Sequence, residues 1–217
     1  MPFKGIIFDL DGTLLDTIED IADSMNRVLR ENDLPTHDTE AYQLFTGSGI
    51  KNMVRKALPE SHRDEATIQA YFETMYNLYK ENCVNKTKPY DGITDMLDEL
   101  ASRNLKLAIL SNKADEMTQK TARALLPAEY FDIISGLTDE ALKKPNPQKA
   151  LQMSNDMGVD PKEMIYVGDT DVDMQTASNA GMYAVGVLWG FRGEEELRAN
   201  GAQKVLKNSS ELMDLFD

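Results

Sequence analysis

Cysteine is almost missing from this chain: Cys83 is the only one in 217 residues. No disulfide can form within the chain, and the composition suits a reducing compartment, so a cytoplasmic protein is expected. No base stands near Cys83 in the sequence to activate it, and a reactive thiol is not expected. Histidine occurs only at His37 and His62, both in loop-like stretches where an exposed, non-catalytic residue is expected. Basic residues are outnumbered, 23 Lys and Arg against 37 Asp and Glu, for a formal net charge of -14. So acidic a body is a poor partner for nucleic acid, whose phosphates are held mainly by Lys and Arg. It is also repelled by anionic membranes. Long apolar runs are absent: no segment approaches the roughly 18 residues that span a bilayer, and the N-terminal stretch has no basic-then-apolar signal pattern.

What is present is enough for a substantial core, with 41% hydrophobic and 28% charged residues. Short runs rich in branched side chains recur: GIIF at 5–8, LKLAIL at 105–110, YFDIIS at 130–135, MIYVG at 164–168 and YAVGVLW at 183–189. Helical patterns separate most of them. Alternating strands and helices predict an α/β fold with a doubly wound (Rossmann-like) parallel sheet. Between the first strand and Lys88 the pattern is helical, with no convincing strand. Ile18, Ile21, Ala22, Met25, Val28 and Leu29 fall on one helical face, and Thr17 with Asp20 reads as a capping box with Asp in place of Glu. Further helices are expected over 39–45, 50–58 and about 64–83, the last carrying Tyr71, Phe72, Met75, Tyr76 and Tyr79 as core or as a dimer surface. The expected division is therefore an α/β unit of residues 1–15 and 88–217 interrupted by an all-helical insertion of residues 16–87.

Ligands of open parallel sheets bind beyond the carboxyl ends of the strands. The first predicted strand ends in Asp9-Leu10-Asp11, the second in Ser111-Asn112-Lys113, and the fourth in Gly168-Asp169-Thr170 with Asp171 and Asp173 close behind. KKPNP, residues 143–147, comes just before the helix that leads to the fourth strand. Asp9 and Asp11 are two residues apart, so on an extended chain they address one point, and Asp169 approaches from a neighbouring strand. Clustered carboxylates are costly unless a proton or a cation joins them. Hard oxygen donors with room for water suit Mg²⁺. A metal with Ser, Lys and backbone N–H groups makes a phosphate site, an aspartate can serve as nucleophile, and a second carboxyl can move the proton. Each stretch alone reads as an ordinary turn or helix cap; their concentration at one sheet edge points to a site.

Taken together, DLDGT, Ser111, Lys144 in KPNP, and GDTDVD resemble the four motifs of the haloacid dehalogenase superfamily in its phosphatase branch. The resemblance spans essentially the whole chain and implies that the helical insertion is a cap domain. It implies that Asp9 is the nucleophile and a Mg²⁺ ligand, and that Asp11 is the general acid/base, binding the metal through its backbone carbonyl. Asp169 is the third implied metal ligand. Thr13, Ser111, Asn112 and Lys144 form the implied substrate-facing set: Thr13 supports the turn, Ser111 and Asn112 hold the transferring phosphoryl group, and Lys144 neutralises phosphate and nucleophile. Asp173 is implied to orient Lys144 or a metal-bound water. The second aspartate separates phosphoryl chemistry from dehalogenation.

VGDTDVDMQTASNAGM and GVLWGFRGEEEL look most like phosphoglycolate phosphatases, whose substrates are small phosphorylated metabolites. Because the substrate is an anion and the body is acidic, Mg²⁺, Lys144, Lys113 and a helix N-terminus are expected to supply compensating charge locally. In the stretch TGSGIK and just beyond, Lys51 or Arg55 is expected either to meet a substrate carboxylate or to lie in a plain solvated turn. A β-phosphoglucomutase is the nearest enzymatic rival, but such mutases carry a histidine early in the first cap helix and this chain has none there. A pyrophosphatase of the same branch stays open. A signalling receiver domain, which lacks a helical insertion, and a non-catalytic binding protein are the rivals of another class. Trp189, Phe191 and Arg192 read as a surface flap or strand-end packing. The chain is expected to be a monomer or a homodimer.

Overall fold

The computed structural model describes residues 3–216. The chain divides into two compact units. One holds the residues up to Asp16 and those from Pro89 onward; the other is Thr17–Lys88. The strands are β1 (Gly5–Phe8), β2 (Leu15–Asp16), β3 (Lys88–Pro89), β4 (Lys106–Ala114), β5 (Ile133–Leu137), β6 (Met164–Gly168), β7 (Tyr183–Val187) and β8 (Lys204–Leu206). The helices are α1 (Ile18–Glu31), α2 (Thr39–Phe45), α3 (Ile50–Ala57), α4 (Glu65–Asn82), α5 (Ile93–Ser102), α6 (Asp115–Leu125), α7 (Gln148–Asp156), α8 (Asp171–Ala180) and α9 (Glu194–Ala199). Among the described residues no helix is long and apolar enough to cross a membrane.

The first unit is built on a six-stranded parallel sheet of order β5-β4-β1-β6-β7-β8. β1 is central and buried at all four positions. Its side chains alternate between two helical layers, as the two-residue period of a strand requires. Ile6 and Phe8 join Leu107, Ile109, Ile165 and Val167 in a core closed by Ile93, Leu97 and Leu100 of α5. Ile7 joins Ala108, Met164, Tyr166 and Ala184 in a second core closed by Met153 of α7, Met174 and Ala177 of α8, and Leu197 of α9. The strand order reverses on the two sides of β1, which puts the switch point at its carboxyl end. Phe8 is in register with Ile109 of β4 and with Val167 of β6. The residues that follow those three positions therefore emerge together.

Three differences from the sequence reading bear on that edge. β4 runs on to Ala114, so Ser111, Asn112 and Lys113 lie within the strand rather than beyond it, and its pairing with β5 shifts register between Leu110 and Ala114. β8 has three residues, of which only Leu206 is fully buried, and it is too short to stand out as a run. The stretch before Lys88 does contain a strand, β2, which forms a separate small sheet with β3; two residues carry no periodicity.

In the second unit α4 packs against α1 and α3, and α2 against α1 and α3. The expected face of α1 is the buried one. The expected capping box is absent: Thr17 makes no side-chain cap bond, and its hydroxyl is buried without a partner. Asp20 is committed elsewhere. Its carboxylate accepts from the backbone N–H groups of Lys86 and Thr87 and from the Thr87 hydroxyl, at 2.7–3.0 Å. That satisfies the returning chain, a stronger demand on a buried carboxylate than one helix N–H. His37 is not an exposed loop residue. It stands edge-on to Tyr42 and Phe45, with Nε2 2.8 Å from the Ala57 carbonyl oxygen. Met75 and Tyr79 are buried, while Tyr71, Phe72 and Tyr76 are half-buried. Lys51 and Arg55 both lie on Glu65, at 3.8 and 2.7 Å, so neither is a bare cation.

Candidate active site

The loop after β1 is wound tightly on one carbonyl. Leu10 O accepts from the N–H groups of Thr13, Leu14 and Leu15, and Gly12 N–H donates to Leu15 O. Gly12 has φ +89°, in the left-handed region that glycine tolerates. Space is a second requirement there: a Cβ on Gly12 would lie 2.3 Å from Asp169 Oδ2.

Asp9 follows β1 directly, and its N–H donates to Val167 O of the adjacent strand at 2.9 Å. Lys144 reaches it from the segment before α7. Lys144 Nζ donates to Asp9 Oδ1 at 2.8 Å, to Asp173 Oδ1 at 2.7 Å and to Leu110 O at 3.2 Å. Three acceptors saturate the ammonium. Asp173 is equally committed, because Oδ2 accepts from Thr170 N–H at 3.1 Å and from the Thr170 hydroxyl at 2.6 Å. This pairing closes a capping box at the start of α8. A Cβ on Gly168 would lie 2.3 Å from the Asp173 Cβ.

Asp169 has no measurable exposure. Oδ1 accepts from the Thr13 hydroxyl at 3.0 Å and Oδ2 from Phe191 N–H at 2.9 Å. Trp189 Nε1 donates to Thr13 O at 2.9 Å. A Cβ on Gly190 would lie 2.3 Å from both Asp169 Cβ and Gly12 O. The stretch 189–191 is therefore a support for Asp169, not a surface flap. Sequence reasoning singled out Trp189 and Phe191 but assigned them no part in the site, because the contribution is made by one backbone N–H, one indole N–H and a missing side chain. The glycine between two aromatic residues was the available signal.

Burial and mutual repulsion dominate the electrostatics. Asp9 is pushed up to about 7, by burial first and then by Asp173, against the pull of Lys144. Burial, Asp173 and Asp9 also raise Asp169 well above the carboxylate range, against its bonds from Phe191 N–H and Thr13. Burial opposes the charge on Lys144, but Asp173 and Asp9 outweigh it and raise its pKa well above that of a free lysine.

Carboxylate oxygens of Asp9, Asp169 and Asp173 lie within 4.8 Å of one another, all buried. One ammonium pairs with two of these three acids, Asp9 and Asp173, and among the described residues nothing donates to Asp9 Oδ2. An all-oxygen donor set with surplus negative charge fits a hard divalent cation. The spacing argument for the side chains needs one correction; the backbone carbonyl of Asp11, the group implied as metal ligand, is not part of a set of carboxylate oxygens. The Asp11 carboxylate is not in this cluster; it pairs with Lys113 Nζ at 2.8 Å. The two-residue rule that aims Asp9 and Asp11 at one point requires extended chain, and β1 has ended at Phe8.

The other predicted residues are placed as follows. Ser111 is buried, and its Oγ accepts from Lys113 N–H at 3.2 Å. Asn112 turns towards the backbone of Lys144: Oδ1 accepts from Lys144 N–H at 2.9 Å and Nδ2 donates to Lys144 O at 3.2 Å. Its amide grips the lysine's own peptide groups, where a direct hold on phosphate was expected. The Thr13 hydroxyl, expected on the substrate side, is spent on Asp169.

The chain as a whole has known relatives. The chain belongs to the family described as haloacid dehalogenase-like hydrolase, whose model matches residues 6–187, and it is a phosphoric monoester hydrolase similar to phosphoglycolate phosphatases. A phosphoglycolate phosphatase of Aquifex aeolicus (strain VF5) is 34% identical over 214 residues, covering 99% of this chain and 97% of the relative. An N-acetylmuramic acid 6-phosphate phosphatase of Pseudomonas aeruginosa is 27% identical over 218 residues, covering 100% and 96%. A solved structure from Lactobacillus delbrueckii subsp. bulgaricus, provisionally assigned as a phosphoglycolate phosphatase, superposes with a TM-score of 0.91 at 28% identity, covering 100% of this chain and 99% of that one.

Proposed function

We propose that the protein is a Mg²⁺-dependent phosphatase that hydrolyses a small phosphate monoester, phosphoglycolate before others, through a phosphorylated Asp9. The observation that carries this reading is Asp9 itself, buried at the switch point with one oxygen on Lys144 and the other without a donor among the described residues. An Asp9 oxygen attacks phosphorus, the bond to the leaving oxygen breaks with its electron pair, and that oxygen takes the proton held by Asp11. Water then attacks the phosphorus of phospho-Asp9 and gives its proton to Asp11. The bond to Asp9 breaks and inorganic phosphate leaves. Lys144 neutralises the nucleophile and the incoming phosphate, and Asp173 and Asn112 hold Lys144 in place. Ser111 keeps its own hydroxyl proton to donate to a phosphoryl oxygen. Held by Asp9, Asp169 and the Asp11 carbonyl, Mg²⁺ would offset charge on the phosphoryl oxygens. The helical unit serves as a cap domain that restricts the substrate to small molecules, and a cytoplasmic setting suits the lone buried cysteine.

Turnover of a series of phosphomonoesters, with pyrophosphate and β-glucose 1-phosphate included, ranked by kcat/KM, tests the substrate. N-acetylmuramic acid 6-phosphate enters the series because the Pseudomonas relative is a phosphatase of that compound. Phosphoglycolate in first place is the expected result; pyrophosphate or the sugar phosphates ahead of it would overturn that choice. Chelation with EDTA is expected to abolish activity, and full turnover after metal stripping would refute the role given to Asp169.

A further inference from the structure

Lys113 is expected from sequence to help offset the charge of an anionic substrate, and its geometry directs it elsewhere. Its side chain is only 1% exposed, and its Nζ lies 2.8 Å from Asp11 Oδ1. The Asp11 side chain keeps 20% exposure, and among the described residues nothing donates to its Oδ2. The backbone of Lys113 is anchored on both sides of the residue. Its N–H donates to Ser111 Oγ at 3.2 Å, and its carbonyl oxygen accepts from the Thr118 hydroxyl at 3.2 Å. Both attachments lie on β4 and α6, so the ammonium is delivered from rigid elements rather than from a loop. The parallel register of β1 with β4 brings the two partners level, since Asp11 and Lys113 follow the paired residues Phe8 and Ile109 by three and four positions. A buried ammonium needs a partner, and an N–H donor on Oδ1 is satisfied whether or not Oδ2 carries a proton.

We propose that Lys113 is a positioning residue for the general acid/base: it fixes Asp11 through Oδ1 and so reserves Oδ2 for the proton that passes to the leaving oxygen. The inference rests on the reading of Asp11 as that acid. In the step concerned, the phosphorus–oxygen bond breaks and the leaving oxygen takes the Oδ2 proton. A poor leaving group, such as an alkoxide, depends on that proton; p-nitrophenolate leaves readily without it.

The experiment compares kcat/KM, which reports the steps through phosphorylation of Asp9, for two substrates. One is the alkyl phosphomonoester with the highest kcat/KM in the series above, and the other is p-nitrophenyl phosphate. Lys113→Met is expected to lower the alkyl value by about 10²-fold and the aryl value by less than about 10-fold. Lys113→Arg keeps the charge and is expected to show the same ordering with a smaller gap, which provides the readout if the Met variant does not fold. Equal losses on both substrates, or no loss on either, would overturn the inference, because a lysine serving phosphate charge or packing alone does not discriminate leaving groups. Asp11→Asn is measured in parallel. If it discriminates and the Lys113 variants do not, only the role of Lys113 falls. If Asp11→Asn does not discriminate either, the general-acid reading of Asp11 falls as well.

Discussion

At the residue scale, Lys144 decides what the acid cluster can do. Its ammonium is shared between Asp9 and Asp173, and its peptide groups are clamped by Asn112. Lys144→Met leaves Asp9 and Asp173 buried and facing each other without a cation, a mutual repulsion that removing one partner of a buried pair exposes in full. The expected outcome is a loss of kcat of about 10³-fold or more, with little recovery in Lys144→Arg, because a forked guanidinium does not fit a point-charge site. Steady-state kinetics on both variants checks this. That Asp9, Lys144 and Asp169 gather at one sheet edge was legible in the sequence, because each sits in a short motif at the end of a predicted strand or before its helix; their roles were implied by the resemblance alone. The partners were not. Nothing in SNK says that Asn112 turns to a peptide bond 32 positions away, since that pairing exists only once β4 and the segment before α7 lie side by side.

At the scale of elements, the stretch from Trp189 to Phe191 and the start of α1 show how backbone groups hold buried carboxylates in place. Gly190→Ala puts a methyl group on Asp169 and on Gly12 O, both of which would lie at 2.3 Å from it. Supporting partners of metal ligands are worth about 10–100-fold in affinity, so Mg²⁺ affinity by calorimetry is expected to fall by at least about 10-fold. Trp189→Phe, which removes only the N–H bonded to Thr13 O, is expected to cause a smaller loss; unchanged binding in both variants would remove the stretch from the site. In the helical unit, Asp20→Ala leaves the Lys86 and Thr87 N–H groups without their acceptor. At roughly 1–3 kcal/mol for a buried donor left unpaired, a loss of about 2–4 kcal/mol in urea unfolding is expected. The sequence showed the helices by their periodicity and missed these contacts, because a carboxylate near a helix start reads first as a cap.

At the scale of the whole molecule, surplus buried negative charge links stability to pH and metal. The sheet and its two layers were readable in the branched runs 5–8 and 164–168, where the period of the side chains and the strand bounds agree; β2 and β8 were too short to announce themselves. The folded state raises Asp9 to about 7 and raises Asp169 as well, whereas an unfolded aspartate titrates near 3.9. Between about pH 4 and 7 the folded protein without metal thus binds more protons than the unfolded one, so its stability falls as pH rises through that window. Thermal melts in EDTA are expected to show a lower Tm at pH 7.5 than at pH 5.5, and Mg²⁺ to raise Tm more at pH 7.5, where it competes with fewer protons. The central claim, that Asp9 accepts the phosphoryl group beside a cation held by neighbouring acids, is tested most directly by a crystal structure with Mg²⁺ and beryllofluoride, a mimic of an aspartyl phosphate. The account predicts beryllium bonded to the Asp9 carboxylate and Mg²⁺ in contact with both Asp9 and Asp169. Beryllofluoride on another residue, or a metal that does not touch Asp169, would contradict it.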